Sequence, residues 1–470
     1  MTPMIDLLSF GARGDGQHND TPAFHAAFAA VAAAGGGRVR VPAGRYLVAG
    51  LKPVSRLRLE MDPGAVLVGS PRIEDYPAVN VQHGDITPYH VVNADGCEDL
   101  ILAGGKITGN GAAFWLPSDN PGGWLRHNNP YRPSPMVDLR HCKNLRLEGV
   151  HLDDSAGWTL QLYECDGALV DGCVITSDPA GPNTDGIDIS GCRDVLIRSC
   201  RIQCGDDAIV AFPSENRDCE GVIVDGCAIE SLCVAFKAYN WSGYPGAVRD
   251  LIFSHSVVRG TNRVLGVYAH RGGPIERIAL NDVLADTDCC MVSARPIHLD
   301  ARPDRCDPDE RIGGIRHVRV RGLHCRTDGR ILMTAAGGAR VSDVLLEDIT
   351  LEYPRIADPA VVPNKPNYGS AQDSNLSFEA RRFPAALVAD GIEDLVVRDL
   401  KLRYAMHENR PWKTGPRRGN GYHEVFPPLT APALFHPWRI RGQAALCPVS
   451  LANRGPHGEP GVWTAKTEKS

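Results

Sequence analysis

The sequence predicts an all-β chain wound as a right-handed parallel β-helix, with a single helix near its N-terminus. Three observations carry that expectation. Short apolar lines begin at Asn144, Gly167, Asp194, Gly221, Asp250 and Arg277, at spacings of 23, 27, 27, 29 and 27 residues. Glycine and asparagine turns separate the lines, and no helical stretch intervenes. Cysteine keeps the same register: Cys97, Cys142, Cys165, Cys192 and Cys219 each stand two residues before a line, while Cys173, Cys200 and Cys227 stand six after one. A repeat in this range built from short strands fits a solenoid whose coils stack on one another. The leucine-rich repeat is the rival, but its Leu-x-x-Leu-x-Leu frame is absent.

Taken in order, the chain opens with a short strand, a turn at Gly11, Gly14 and Gly16, and Thr21-Pro22. Thr21 as N-cap, Pro22 at the first helical position and Gly35-Gly36-Gly37 as a stop predict a helix from about 22 to 34. Phe24, Phe28 and Val31 share one face, so this helix is expected to cap the unpaired end of the stack. From Gly37 the pattern becomes β, and the repeat runs from Asp99 through His317, Asp343 and Asp394. Inserts rich in proline and glycine interrupt it near 110–134, 295–313 and 354–387. The expected organisation is a β-helix domain over 1–402 and a C-terminal cover over 403–470, anchored by Trp412, Phe426, Phe435 and Trp438. Trp115, Trp124 and Tyr131 in the first insert are flat groups suited either to stacking on a sugar or to pinning the loop.

Composition narrows the function classes. The 470 residues carry a formal charge of only −6, with neither a basic stripe nor a block of like charges, so no nucleic-acid partner is expected. No run is long and apolar enough to span a membrane, and Met1 to Phe10 lacks the pattern of an export signal, which makes the cytoplasm the expected location. Fifteen cysteines, an odd number with no Cys-x-x-Cys pair, read as core filler rather than disulfides or metal ligands.

Two segments hold the chemistry: Asn183-Thr-Asp-Gly-Ile-Asp and, about twenty residues on, Gly205-Asp-Asp. Stacked coils lie about 4.8 Å apart, so Asp185, Asp206 and Asp207 are expected to share one acidic pocket open to solvent. Crowded carboxylates repel, and at least one then keeps its proton near neutral pH, as cleavage of a glycosidic bond requires. Successive residues of a strand face opposite ways, so a bend at Gly205 is expected to bring both Asp206 and Asp207 outward. The plainer alternative is that these aspartates merely close turns on their own backbone.

The sequence resembles the family 28 glycoside hydrolases, the polygalacturonase group. The match comprises Phe10-Gly-Ala-Arg-Gly-Asp-Gly-(x)3-Asn-Asp-Thr, Ile107-Thr-Gly-Asn-Gly-(x)3-Trp115, Asn183-Thr-Asp-Gly-Ile-Asp and Gly205-Asp-Asp. The resemblance implies a pectin-lyase-like solenoid and hydrolysis with inversion, Asp206 donating the proton and Asp185 and Asp207 activating water. It also implies that Asn183 and Asp188 touch substrate. Two departures stand out. Cys233 occupies the region of the group's usual histidine, and Leu265-Gly-Val-Tyr-Ala stands where an Arg-x-Lys pair grips a uronate carboxylate. Lys237, Tyr239, Tyr268, His270 and Arg271 lie nearby as a different specificity set, or as a solvated rim. The expected activity is hydrolysis of pectin-related oligosaccharides, exo-acting, with no cofactor and no metal. A calcium-dependent polysaccharide lyase or epimerase, and a non-catalytic glycan-binding β-helix, are the competing readings.

Overall fold

The computed structural model describes residues 4–79, 86–117, 126–127, 129–179, 181–240, 246–287, 294–302, 313–327, 329–353, 385–404, 436–446 and 450–452. Most of the three inserts, together with Trp124, Trp412, Phe426 and Phe435, lies outside these residues. The described chain is almost entirely strand, with one α-helix. It divides into two compact units, one of residues 1–119, 124–210 and 219–228, the other of 120–123, 211–218 and 229–470.

The first unit is a stack of parallel strands in three sheets. One contains Val92–Asp95, Val137–Arg140, Leu160–Tyr163 and Ile187–Ser190, paired in that order. A second passes from Ile101 through Lys143–Glu148, Asp166–Asp171 and Arg193–Arg198 to Cys219–Asp225. The third joins Lys106–Thr108, His151–Asp153, Val174–Thr176 and Arg201–Cys204. Every pairing among them is parallel, the closed, β-helix-like arrangement that the repeat requires.

The residue that opens each repeat line turns a corner. Asp99, Asn144, Gly167, Asp194 and Gly221 all have φ between 53° and 72°. This left-handed region is open to glycine and tolerated by Asn and Asp, which explains the residue types found there. The carboxamide of Asn144 donates to Asp99 Oδ1 at 2.5 Å, so this corner is also bonded between coils. The cysteines stack beside it. Cys165 N–H donates to Cys192 Sγ at 3.3 Å, and all the described cysteines are buried with free thiols. The Cys142 thiol is pushed up to about 12, first by its hydrogen bond with Cys165, which suits an inert core group.

The helix spans Thr21–Ala33 and buries Phe24, Ala27, Phe28 and Val31. Its N-cap is Asp20 rather than Thr21, and Asp20 makes no cap bond. The Asp20 carboxylate instead accepts from Arg13 N and Gly14 N, at 2.8 and 3.1 Å, fixing the preceding turn. Thr21 Oγ1 accepts from Ala49 N at 3.0 Å, tying the helix start to the next strand.

The second unit repeats the parallel plan. Val234–Asn240, Arg263–Ala269, Ile297–Ala301, Ile331–Ala335 and the start of Ala385–Tyr404 pair in succession. Ile297–Ala301 falls within the stretch read from sequence as the second insert. Its alternation of Ile297, Leu299 and Ala301 with His298 and Asp300 is a strand pattern that Pro296 and Arg302 obscure. Asp250, Arg277, His317, Asp343 and Asp394 repeat the left-handed corner, with φ between 52° and 61°. His436–Leu446, inside the expected C-terminal cover, pairs parallel with Ala385–Tyr404. Among the described residues, no helix is long and apolar enough to cross a membrane.

Candidate active site

Backbone hydrogen bonds align the two acidic segments side by side. Gly186 N donates to Asp207 O at 3.0 Å and Ile187 N to Ala208 O at 2.9 Å. Gly205 N donates to Thr184 O at 3.3 Å and lies 3.1 Å from the Thr184 hydroxyl. The Asn183 carboxamide reaches Asp206 Oδ2 at 3.4 Å, from a backbone held at φ 51°. A non-glycine residue in that region is kept there by its surroundings.

Asp206 and Asp207 are not on a strand. One strand ends at Cys204 and the next begins at Ile209, so the acids occupy the corner between them. The rule that neighbours in a strand face opposite ways therefore does not apply. Gly205 is needed for close approach: a Cβ there would stand 2.5 Å from Thr184 Oγ1 and 3.1 Å from Pro179 Cα. The acids are not open to solvent as expected, since Asp185, Asp206 and Asp207 are only 6, 4 and 5% exposed.

The segment leading to Asn183 is pinned from behind. Arg132, itself buried, donates through one guanidinium nitrogen to Ala156 O at 3.0 Å and Pro182 O at 3.1 Å. Trp115 donates its indole N–H to the same Ala156 carbonyl at 2.9 Å. Gly181 lies so close to the Trp115 ring that no Cβ fits between them. Trp115 is thus a buried loop anchor, not a stacking platform, whereas Tyr131 is exposed. Ser155, Thr159 and Ser177 form a buried triangle of hydroxyls with sides of 2.8 to 3.1 Å, and Thr159 N donates to Asp185 O.

Beside the acids runs a row of which the sequence reading found only Asp188. Val137–Arg140, Leu160–Tyr163 and Ile187–Ser190 are buried on both faces, unlike the strands of the other two sheets, which alternate buried and accessible positions. Leucine, isoleucine and valine fill the inner rows. The outer row carries Asp138, Gln161 and Asp188, paired in register. Counting back one repeat at a time from Asp188 would have found Gln161 and Asp138.

In the second unit, Lys237 pairs in register with Gly266, and Tyr239 with Tyr268. The Lys237 ammonium stands 4.6 Å from the Tyr239 ring centre, and Tyr239 stacks on Phe212 at 5.1 Å. Tyr268 and His270 are buried with rings 6.1 Å apart. Tyr268 also meets His298 edge-on at 5.2 Å, and His270 lies 3.7 Å from the Asp300 carboxylate. Arg271 is half-buried, its backbone N–H 3.4 Å from Asn240 Oδ1. Sequence reasoning missed His298, Asp300 and buried Arg263, Arg295 and Arg302. Burial, then the guanidinium groups of Arg295, Arg263 and Arg302, holds His298 well below the usual histidine range. Of the five expected specificity residues, Tyr268 and His270 are therefore buried in an aromatic and basic cluster, while Lys237, Tyr239 and Arg271 are half-buried.

A family described as "Glycosyl hydrolases family 28" matches residues 78–229, about a third of the chain. A "Probable polygalacturonase" from Vitis vinifera is 28% identical over 218 residues, 43% of this chain and 43% of that protein. The alignment therefore spans less than half the length of that relative. Another "Probable polygalacturonase", from Arabidopsis thaliana, is 24% identical over 366 residues, 74% of this chain and 78% of its own length. Among solved structures, a hyperthermoactive exopolygalacturonase from Thermotoga maritima superposes with a TM-score of 0.57 at 22% identity, covering 75% of this chain and 88% of that one. That likeness carries the fold. The matched family segment takes in both acidic segments and the row beside them, so this third of the chain is similar to the glycosyl hydrolases of family 28.

Proposed function

We propose that the protein is a glycosidase cleaving O-glycosidic bonds in pectin-related oligosaccharides. The observation that carries the reading is the bonding of Asn183-Thr184-Asp185 to Gly205-Asp206-Asp207 through Gly186, Gly205 and Asn183, which keeps three carboxylates on adjoining segments. Asp206 gives its proton to the leaving oxygen. Asp185 and Asp207 orient a water and take its proton as it attacks from the opposite face, which inverts the anomeric centre. Asn183 and Asp188 are further substrate contacts, and Lys237, Tyr239, Tyr268, His270 and Arg271 form a specificity set. The slight exposure of the acids supports exo action, in which a chain end rather than a chain middle enters. We further read the coil as right-handed and the Thr21–Ala33 helix as the cap of its first turn.

The test is hydrolysis of a panel of pectic oligosaccharides, including rhamnose-containing ones, followed by NMR of the newly formed anomer. Wild type should release single residues in the inverted configuration, and Asp206→Asn should be inactive. Unchanged turnover by Asp206→Asn, or retention of configuration, would overturn the assignment. An unsaturated product absorbing in the ultraviolet, abolished by a chelator, would replace it with a lyase.

A further inference from the structure

The outer row of the first unit contains polar atoms that its own protein groups do not satisfy. Gln161 is 1% exposed, and neither its Nε2 nor its Oε1 has a hydrogen-bond partner among the described residues. Asp138, fully buried one coil away, is held through a single oxygen. Its Oδ2 accepts from Asn93 Nδ2 at 3.1 Å and lies 3.5 Å from His90 Nε2 and 3.8 Å from an Arg140 guanidinium nitrogen. Its Oδ1 is without a partner among the described residues, as is the hydroxyl of Ser190. A buried amide left unsatisfied at both ends is costly, so such groups normally have something to bind.

We propose that Asp138 and Gln161 form a sugar subsite beside the candidate acids, shaped for the adjacent hydroxyls of a neutral pyranose. This rests on the glycosidase reading above. The amide offers one donor edge and one acceptor edge, and Asp138 Oδ1 adds a second acceptor. Two neighbouring hydroxyls, each able to give and accept, match that set. The row also carries Asp188, in register with Gln161 and three residues past Asp185, so the subsite abuts the proposed point of cleavage. The Asp188 carboxylate beside Gln161 disfavours a second on the ligand, which selects a neutral residue over a uronate at this position. Burial tends to hold Asp138 above and His90 below their ordinary ranges, which favours neutral forms and fits a hydroxyl ligand. From Asp138 to Asp188 is two coil steps, roughly 10 Å, room for more than one sugar ring.

The experiment measures, by calorimetry, binding of a rhamnose-galacturonate oligosaccharide and of an all-galacturonate one to the Asp206→Asn protein, with and without Gln161→Leu. Leucine keeps the volume and removes both polar edges. The expected result is about tenfold weaker binding of the rhamnose-containing ligand, with the thermal midpoint unchanged or raised. Asp138→Asn gives the same readout should Gln161→Leu fail to fold. Equal affinity of the rhamnose-containing ligand with and without the substitution overturns the subsite, as does failure of that ligand to bind the unsubstituted row. An equal loss for the all-galacturonate ligand overturns the preference for a neutral sugar. Hydrolysis by wild type is followed in parallel: binding that depends on Gln161 without any hydrolysis overturns the glycosidase reading and leaves the subsite standing.

Discussion

The covered sheet occurs in both units with the same inner rows and opposite outer ones. In the first unit, Val137 and Leu139, Leu160 and Leu162, and Ile187 and Ile189 face the core, while Asp138, Gln161 and Asp188 face outward. In the second unit, Leu265 and Val267 and then Ile297 and Leu299 face the core, while Tyr268, His298 and Asp300 occupy the outer row, with Arg263, Arg295 and Arg302 buried in their vicinity. The difference teaches that the inner rows specify a coil and nothing else. Chemistry is written in the alternate positions, which the fold leaves free to vary.

The largest expected effect breaks the comparison if it fails. Should the first unit supply the acid and the second only substrate contacts, Asp206→Asn lowers kcat by roughly a hundred- to ten-thousand-fold, while Lys237→Ala acts mainly on KM. Steady-state kinetics on one oligosaccharide checks both, and a comparable kcat loss in Lys237→Ala would erase the division of labour.

Next comes Gly205→Ala, which forces a Cβ against the Thr184 hydroxyl. Overpacking there should cost about 1–3 kcal/mol in urea unfolding, with an activity loss that persists well below the unfolding transition. Wild-type activity would mean that the alignment of the two segments is not what positions the acids.

A smaller effect separates the units by pH. His298 resists protonation when folded but accepts a proton in the unfolded chain, so unfolding takes up a proton and stability is lost as pH falls below about 6.5. His298→Leu should therefore soften the decline in melting temperature between pH 7 and pH 5. An unchanged decline would show that neither burial nor the basic surroundings of His298 act on it.

The smallest concerns Asp154 in the first unit, whose pKa burial raises to about 6. Ionising it in the folded state opposes folding, and that penalty appears as pH rises from about 4 through 6. Asp154→Asn, which suits the left-handed φ of 51° there, should raise the melting temperature by a few degrees at pH 7 and by nothing at pH 4. A gain that is equal at both pH values would trace to something other than charge.

The sequence by itself determined the coil. Left-handed corners select Gly, Asn and Asp at positions such as Asp99, Asn144 and Gly221, and each coil must bury the same small cysteines, so period and register are local, repeated and visible. The two acidic segments were legible for the same reason, because one repeat separates them. What only the tertiary structure decided is which alternate positions are covered. Trp115 is spoken for by Ala156 and Gly181, the bend at Gly205 is packed against Thr184, and Gln161 and His298 are buried although their own strands place them on the outer face. The physical reason is that an outward side chain takes its meaning from whatever lies over it. For Trp115 and Gly205 that neighbour comes from elsewhere in the chain, where no period reaches.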